Sequence, residues 1–289
     1  MPLTGMADLM HPAARSGSGV GAFNVVHLEH AEALVEGATD AGVPVILQIS
    51  ENTVRYHGGL EPLGLATLAI ARRAPVPVTV HLDHAESIEL VHMAVDLGFP
   101  SVMFDGSTLD YPANVARTRQ VVEHCHHHGV WVEAELGEIG GKDGAHAPGV
   151  RTDPAEARDF ITRTSVDALA VAVGSSHAML TRTAALDFEL IRRLARTVPV
   201  PLVLHGSSGV ADDDLREGVR AGITKVNIAT RLNQVFTEAV RTHLAEHKSI
   251  VDTRRYLGAG RTAVRTETAR LLELLAANGQ HEPSAPTRR

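Results

Sequence analysis

Thiol and aromatic side chains are scarce in this 289-residue chain, which has one cysteine, one tryptophan and three tyrosines. A lone Cys125 excludes an intramolecular disulfide framework and a cysteine-rich zinc site, and it sets no demand for an oxidising compartment. Positive charge is not in excess either. With 27 Lys and Arg against 34 Asp and Glu, the formal net charge of -7 gives no global attraction to nucleic acid or to an anionic membrane. No run of about 18 uncharged apolar residues is present, and the opening MPLTGMADLM has neither the basic nor the apolar block of a secretory signal. The expectation is a cytoplasmic protein with neither nucleic acid nor membrane as partner.

Histidine, in contrast, is abundant at 17 residues, so metal or acid/base chemistry here must rest on imidazole and carboxylate. The chain is 44% hydrophobic, enough for a substantial core. Eight short apolar, β-branched runs recur at 21–26, 43–50, 76–83, 99–106, 130–137, 166–174, 200–207 and 224–230, each introduced by a Gly or Pro signal. Helical periodicity separates them at 30–41, 87–97, 111–128, 154–164, 187–197 and 212–221. Eight βα units predict an α/β fold, a (β/α)8 TIM barrel, as a single domain over 1–278. Further helices are expected near 231–246 and 261–277, with a short one at 7–14 plugging the barrel bottom and a disordered tail at 279–289.

In such a barrel the chemistry collects where the strands end. The polar residues fall there: Asn24, Gln48 and Ser50, His81-Leu82-Asp83-His84, Asp105, Glu133 and Glu135, Ser175-Ser176-His177, His205, and Asn227-Ile228-Ala229-Thr230. His84, His177 and His205 lie just past three different strands, and three imidazoles with an open fourth position make a catalytic zinc site. Any one of them alone reads as an ordinary loop histidine; their spacing becomes a metal motif only if the barrel closes. Strand alternation puts His81 and Asp83 on one face, so His84 can join them only if the chain turns out of the strand after Asp83. Asp83, next to a ligand, is placed for general acid/base work, the alternative being support of a ligand histidine. The run His205-Gly206-Ser207-Ser208-Gly209 and the end of the eighth strand offer glycines, hydroxyls and N–H groups where barrels commonly hold phosphate. A Gly-rich loop at 137–149 carries Glu138, Lys142, Asp143 and His146 and has the composition of a loop that closes over substrate or of a plain connection. The run His124-Cys125-His126-His127-His128 reads as a solvated helix end, and Asp212-Asp213-Asp214 as a favourable helix start.

At these residues the chain resembles the class II, metal-dependent ketose-bisphosphate aldolases, the fructose- and tagatose-bisphosphate aldolase family. HLDHA at 81–85, SVMFDGS at 101–107, VEAELG at 132–137, LVLHGSSG at 202–209 and KVNIAT at 225–230 match the family's signatures in order. The resemblance implies zinc on His84, His177 and His205, with Asp105 and Glu135 near a second or alternative divalent position. It makes Asp83 the group exchanging a proton with the C4 hydroxyl during C3–C4 cleavage, with zinc polarising the carbonyl of dihydroxyacetone phosphate. It gives Gly206, Ser208, Asn227 and Thr230 to the phosphate, assisted in the family by a monovalent cation, and Ser207, Ile228 and Ala229 share those loops. Asn24 and Ser50 are substrate-side positions, and Asp143 is the loop acid, one methylene shorter than the usual Glu. Ala178 follows His177 where the family commonly has Gly, and Glu51-Asn52-Thr53 replace a Gly-containing turn after Ser50. The implied substrate is a phosphorylated sugar of carbohydrate metabolism such as glycolysis, and the implied assembly a homodimer or homotetramer. In relatives the region of Arg254, Arg255 and Arg261 approaches a neighbouring subunit's site.

Rival readings are an aldolase of the same mechanism acting on another ketose 1-phosphate, a Schiff-base aldolase, a zinc hydrolase, and a metal-binding barrel without turnover. The Schiff-base route needs a lysine at a strand end. Only Lys142, Lys225 and Lys248 exist, and Lys225 is expected to start the eighth strand, at the wrong end.

Overall fold

All eight apolar runs form parallel strands, hydrogen-bonded in chain order and closed into a barrel by pairing of the last with the first. The computed structural model describes residues 3–136, 151–175 and 181–276. The strands are β1 (Val20–Asn24), β2 (Val45–Ser50), β3 (Val78–Ala85), β4 (Ser101–Phe104), β5 (Trp131–Glu135), β6 (Ala168–Ala170), β7 (Leu202–Leu204) and β8 (Ile223–Ile228). Around them run α1 (Met6–Ser16), α2 (Leu28–Ala41), α3 (Glu51–His57), α4 (Glu61–Arg73), α5 (Ile88–Asp96), α6 (Tyr111–His127), α7 (Pro154–Thr164), α8 (Phe188–Thr197), α9 (Asp212–Ala221), α10 (Thr230–Glu246) and α11 (Thr253–Ala276). No helix among the described residues is long and apolar enough to cross a membrane.

Strand residues are buried on both faces because helices cover the outside and the interior is filled, which is why the runs read as continuous rather than alternating. The larger apolar cluster lies between strands and helices. A second cluster fills the barrel bottom, where Met6, Leu9, Met10 and Ala13 of α1 pack on inward-facing Ala22, Ile46, Ala168, Ala170 and Val203. Small residues on the strands leave room for the two methionines. The expected plug is therefore present, two residues longer at its C-terminus than read from the sequence.

Helix α11 starts at Thr253, eight residues before the expected 261, so that Arg254 and Arg255 lie within it, and two further features were not read from the sequence correctly. First, α3 and α4 both lie between β2 and β3, where no helix was named. Ser50 caps α3 by accepting from Thr53 N–H at 3.3 Å, and Glu61-Pro62 opens α4 with proline in its first turn. Second, β8 begins at Ile223, so Lys225 is not at the strand's start but inside it, fully buried and facing the barrel interior.

Candidate active site

The decisive local feature is a bulge near the end of β3. The pairing of β3 with β4 shifts register between Leu82 and Ala85, and within that shift His84 adopts φ 52°, the left-handed region. The turn brings His84 to the same side as Asp83, as the sequence reading required for His84 to join the site. Ligand atoms of Asp83, His84 and His205 lie within 4.8 Å of one another, and so do those of His84, Asp105 and Glu135. The rings of His84 and His205 meet edge to face with centroids 4.6 Å apart.

Each first-rank group is held by a partner. His84 Nδ1–H donates to Asp105 Oδ2 at 2.6 Å, since Asp105 Oδ1 already accepts from the N–H (3.1 Å) and hydroxyl (2.6 Å) of Ser107 and the carboxylate can only accept. Asp83 receives the amide of Asn227 on Oδ1 at 3.2 Å and, more weakly, that of Gln48 on Oδ2 at 3.4 Å; Gln48 also donates to Asn24 Oδ1 at 2.6 Å. Burial pushes the Asp83 carboxyl up, but the positive potential of His84, Lys225, His205 and His81 outweighs it and holds the group below the usual carboxylate range. Asp83 is thus a carboxylate, able to take a proton.

Two residues earlier on three of these strands lies a second, fully buried polar layer. His81 precedes Asp83, Glu133 precedes Glu135, and Lys225 precedes Asn227, each pair sharing inward parity. Lys225 Nζ donates to Glu133 Oε2 at 2.6 Å and to His81 Nε2 at 3.3 Å, while His81 Nδ1–H donates to Ser101 Oγ at 2.8 Å. Burial, reinforced by Lys225, pulls the His81 imidazole down to about 3, so it is neutral. His205 spans the two layers, with Nε2 3.0 Å from Glu133 and Nδ1 3.1 Å from Glu135. Burial works against its charge, but the two carboxylate hydrogen bonds prevail and push it up to about 9. Glu133 itself is held well below the usual carboxylate range: burial works upward and is outweighed first by Lys225 and then by His205.

The loops after β7 and β8 are tied together. Gly206 takes φ 65°, and a 3-10 turn Ser207–Gly209 follows. The buried Ser207 hydroxyl donates to the carbonyl of Asn227, and the N–H of Arg231 donates to Ser208 Oγ at 3.3 Å. Ile228 ends β8, Ala229 links, and Thr230 begins α10, so the first N–H groups of that helix face the same loops. Ser50 sits at the adjacent end of β2 with its hydroxyl engaged in capping α3.

Of the residues expected at the site, Asp83, His84, His205, Asp105 and Glu135 converge. His177 and Asp143 lie outside the described residues, as do Glu138, Lys142, His146 and Ala178. Lys225 belongs to the site although the sequence placed it at the start of β8, and Gln48, His81 and Glu133, named among the strand-end polar residues without a role, belong to it too; their shared parity with the residues above them was the available signal. The His124 to His128 run ends α6, and Cys125 within it is buried with its thiol pushed up to about 12 by burial. Arg261 is engaged by Glu32 and Glu36 of α2, and the exposed Arg254 pairs with Asp252.

The family model for class II fructose-bisphosphate aldolase matches residues 4–280. The YdjI aldolase from Escherichia coli K12 is 31% identical, with a TM-score of 0.84 over 96% of this chain and 98% of that one. A protein assigned as a fructose-1,6-bisphosphate aldolase in Coccidioides immitis is 29% identical, with a TM-score of 0.81 over 94% and 97%. The fructose-bisphosphate aldolase of Campylobacter jejuni, 21% identical, shares the fold at a TM-score of 0.75 over 94% and 98%.

Proposed function

The chain belongs to the class II fructose-bisphosphate aldolase family, and from that premise we propose that it is a zinc-dependent lyase for a ketose phosphate. The substrate is fructose 1,6-bisphosphate or tagatose 1,6-bisphosphate, and the products are dihydroxyacetone phosphate and an aldehyde such as glyceraldehyde 3-phosphate. The observation that carries this reading is the convergence of Asp83, His84 and His205 within 4.8 Å at the strand ends of a closed barrel.

The donor set fits zinc: imidazole nitrogens and carboxylate oxygens from separate strands, with the only cysteine buried elsewhere. His84 and His205, with His177, would hold the metal, and Asp105 and Glu135 with His84 would offer the second or alternative divalent position. Bound zinc supplies Lewis-acid polarisation of the substrate carbonyl. Asp83 takes the proton from the C4 hydroxyl; that O–H pair becomes the new C=O bond, and the C3–C4 pair passes to the three-carbon fragment. The amides of Gln48 and Asn227 hold the carboxylate in line for this transfer. A proton must then return to C3, the role we give Asp143. Gly206, Ser207, Ser208 and Asn227 to Thr230, with Asn24 and Ser50 beside them, form the end that takes the C1 phosphate, where the α10 N-terminus favours an anion and a monovalent cation would share the load.

A Schiff-base route finds no support among the described residues, because the Lys225 amine is committed to Glu133 and His81 and Lys248 is exposed beyond the end of α10. We propose a cytoplasmic homodimer or homotetramer; the exposed Val251 and Leu244 at and beyond the end of α10 are apolar surface that an assembly would cover. The test is Asp83→Ala. Cleavage falls by about 10²- to 10⁴-fold, the usual range for a general acid/base, while zinc content persists; unaltered cleavage removes Asp83 from this role.

A further inference from the structure

A histidine can give a metal only one of its two nitrogens, and the buried layer under the site settles which one His205 offers. We infer that Glu133, locked by Lys225, is the positioning residue that holds the Nε2 edge of His205 and presents its Nδ1 edge to the metal. The inference rests on the zinc reading above.

Three observations support it. Glu133 is fully buried and fixed by two partners: Oε2 accepts from Lys225 Nζ at 2.6 Å, and Oε1 faces His205 Nε2 at 3.0 Å. A carboxylate so placed can only accept, which puts a proton on Nε2. Glu135, on the Nδ1 side at 3.1 Å, instead belongs to the group of candidate ligands with His84 and Asp105. Finally, Glu133 stands two residues before Glu135 on β5, about 6.6 Å deeper into the barrel at the ordinary strand rise. Substrate arrives from the strand ends, so the deep nitrogen is the anchored one and the outer nitrogen is the one offered. At His84 it is Nδ1–H that is held, by Asp105, which Ser107 fixes in turn. Lys225 neutralises Glu133 in a layer with no solvent, which explains why a fully buried lysine sits beneath the site.

Removing Glu133 alone would strand the Lys225 ammonium, so the test uses paired variants, Glu133→Leu/Lys225→Met and Glu133→Gln/Lys225→Met. Zinc affinity is read by chelator competition on the metal-stripped protein, alongside its thermal melting. The leucine variant binds zinc about 10- to 100-fold more weakly, the usual effect of losing a ligand's orienting partner. The glutamine variant retains most of the affinity, because its amide oxygen still accepts from Nε2–H. Equal zinc affinity in the two paired variants would overturn the assignment. Imidazole ¹⁵N shifts of the zinc-loaded wild type test it without any variant: Nδ1 should be the ligated nitrogen of His205 and Nε2 the protonated one, and the reverse pattern overturns it. A wild-type chain that takes up no zinc would instead sink the zinc reading, and this assignment with it.

Discussion

Gln48 shows how much rests on a single amide at this site. Its Nε2 serves both Asn24 and Asp83, keeping the carboxylate oriented without adding charge. Gln48→Met removes that donor at nearly constant volume, and steady-state kinetics should show kcat about 10-fold lower, a loss of about 1.4 kcal/mol, with KM changing less. A larger effect on KM than on kcat would mean that Gln48 binds substrate instead of orienting the base. The sequence made Asp83, His84, Asp105, Glu135 and His205 legible because each closes a strand. It named Gln48, His81 and Glu133 at the strand ends without giving them roles and set Lys225 at the wrong end, because all four lie one layer deeper, where only inward parity marks them. His30 is a second residue whose cost is calculable. It is 2% exposed, stacked on Phe236 at 5.2 Å, with neither ring nitrogen hydrogen-bonded, and burial pulls its imidazole down to about 3. Below pH 6.5 the unfolded chain binds a proton that the folded chain refuses, so this residue alone removes about 1.4 kcal/mol of stability per pH unit down to about 3. Above 6.5 it adds no pH dependence. Denaturation of His30→Leu at pH 5 and pH 8 should show the variant gaining about 2 kcal/mol more at pH 5, and an equal gain at both would contradict the burial argument.

Helices rather than strands carry what the barrel needs outside its chemistry. Helix α1 closes the bottom through Met6, Leu9 and Met10, and Met10→Ala should lower stability by about 2–4 kcal/mol by opening a cavity in a packed cluster. Activity per folded molecule should be unchanged, since α1 lies at the opposite end from the strand termini. Helix α11 packs along α2 so closely that a methyl added at Gly37 would lie 2.6 Å from the carbonyl oxygen of Arg265. Because that obstacle is backbone, Gly37→Ala should cost about 1–3 kcal/mol in thermal or chemical denaturation. Arg265→Ala, which deletes an exposed ion pair with Asp40 across the same contact, should cost under about 1 kcal/mol. The order of the two effects is the test. The strands were readable because double-sided burial makes them continuous apolar runs, and most helices because their stripes and caps are regular. Helix α3 was not, since it is only seven residues long and its one buried residue is Thr53, which leaves no apolar stripe to detect; α4 does carry a stripe at Leu63, Thr67, Leu68 and Ala71, and the sequence reading passed over it.

For the whole molecule, barrel closure is what turns residues far apart in the chain into one site: β3 supplies Asp83 and His84, β4 is followed by Asp105, β5 ends in Glu135, and β7 is followed by His205. The family match over residues 4–280 covers this architecture almost end to end. The activity proposed for this architecture is metal-assisted retro-aldol cleavage of a phosphorylated ketose. The direct measurement is a coupled assay for released dihydroxyacetone phosphate with fructose 1,6-bisphosphate, tagatose 1,6-bisphosphate and ketose 1-phosphates. Each is run on zinc-loaded, chelator-stripped and zinc-restored protein, with borohydride added in parallel. Release is expected from at least one bisphosphate, lost on stripping, regained with zinc and insensitive to borohydride. Release that survives stripping, or is abolished by borohydride only in the presence of substrate, would contradict it.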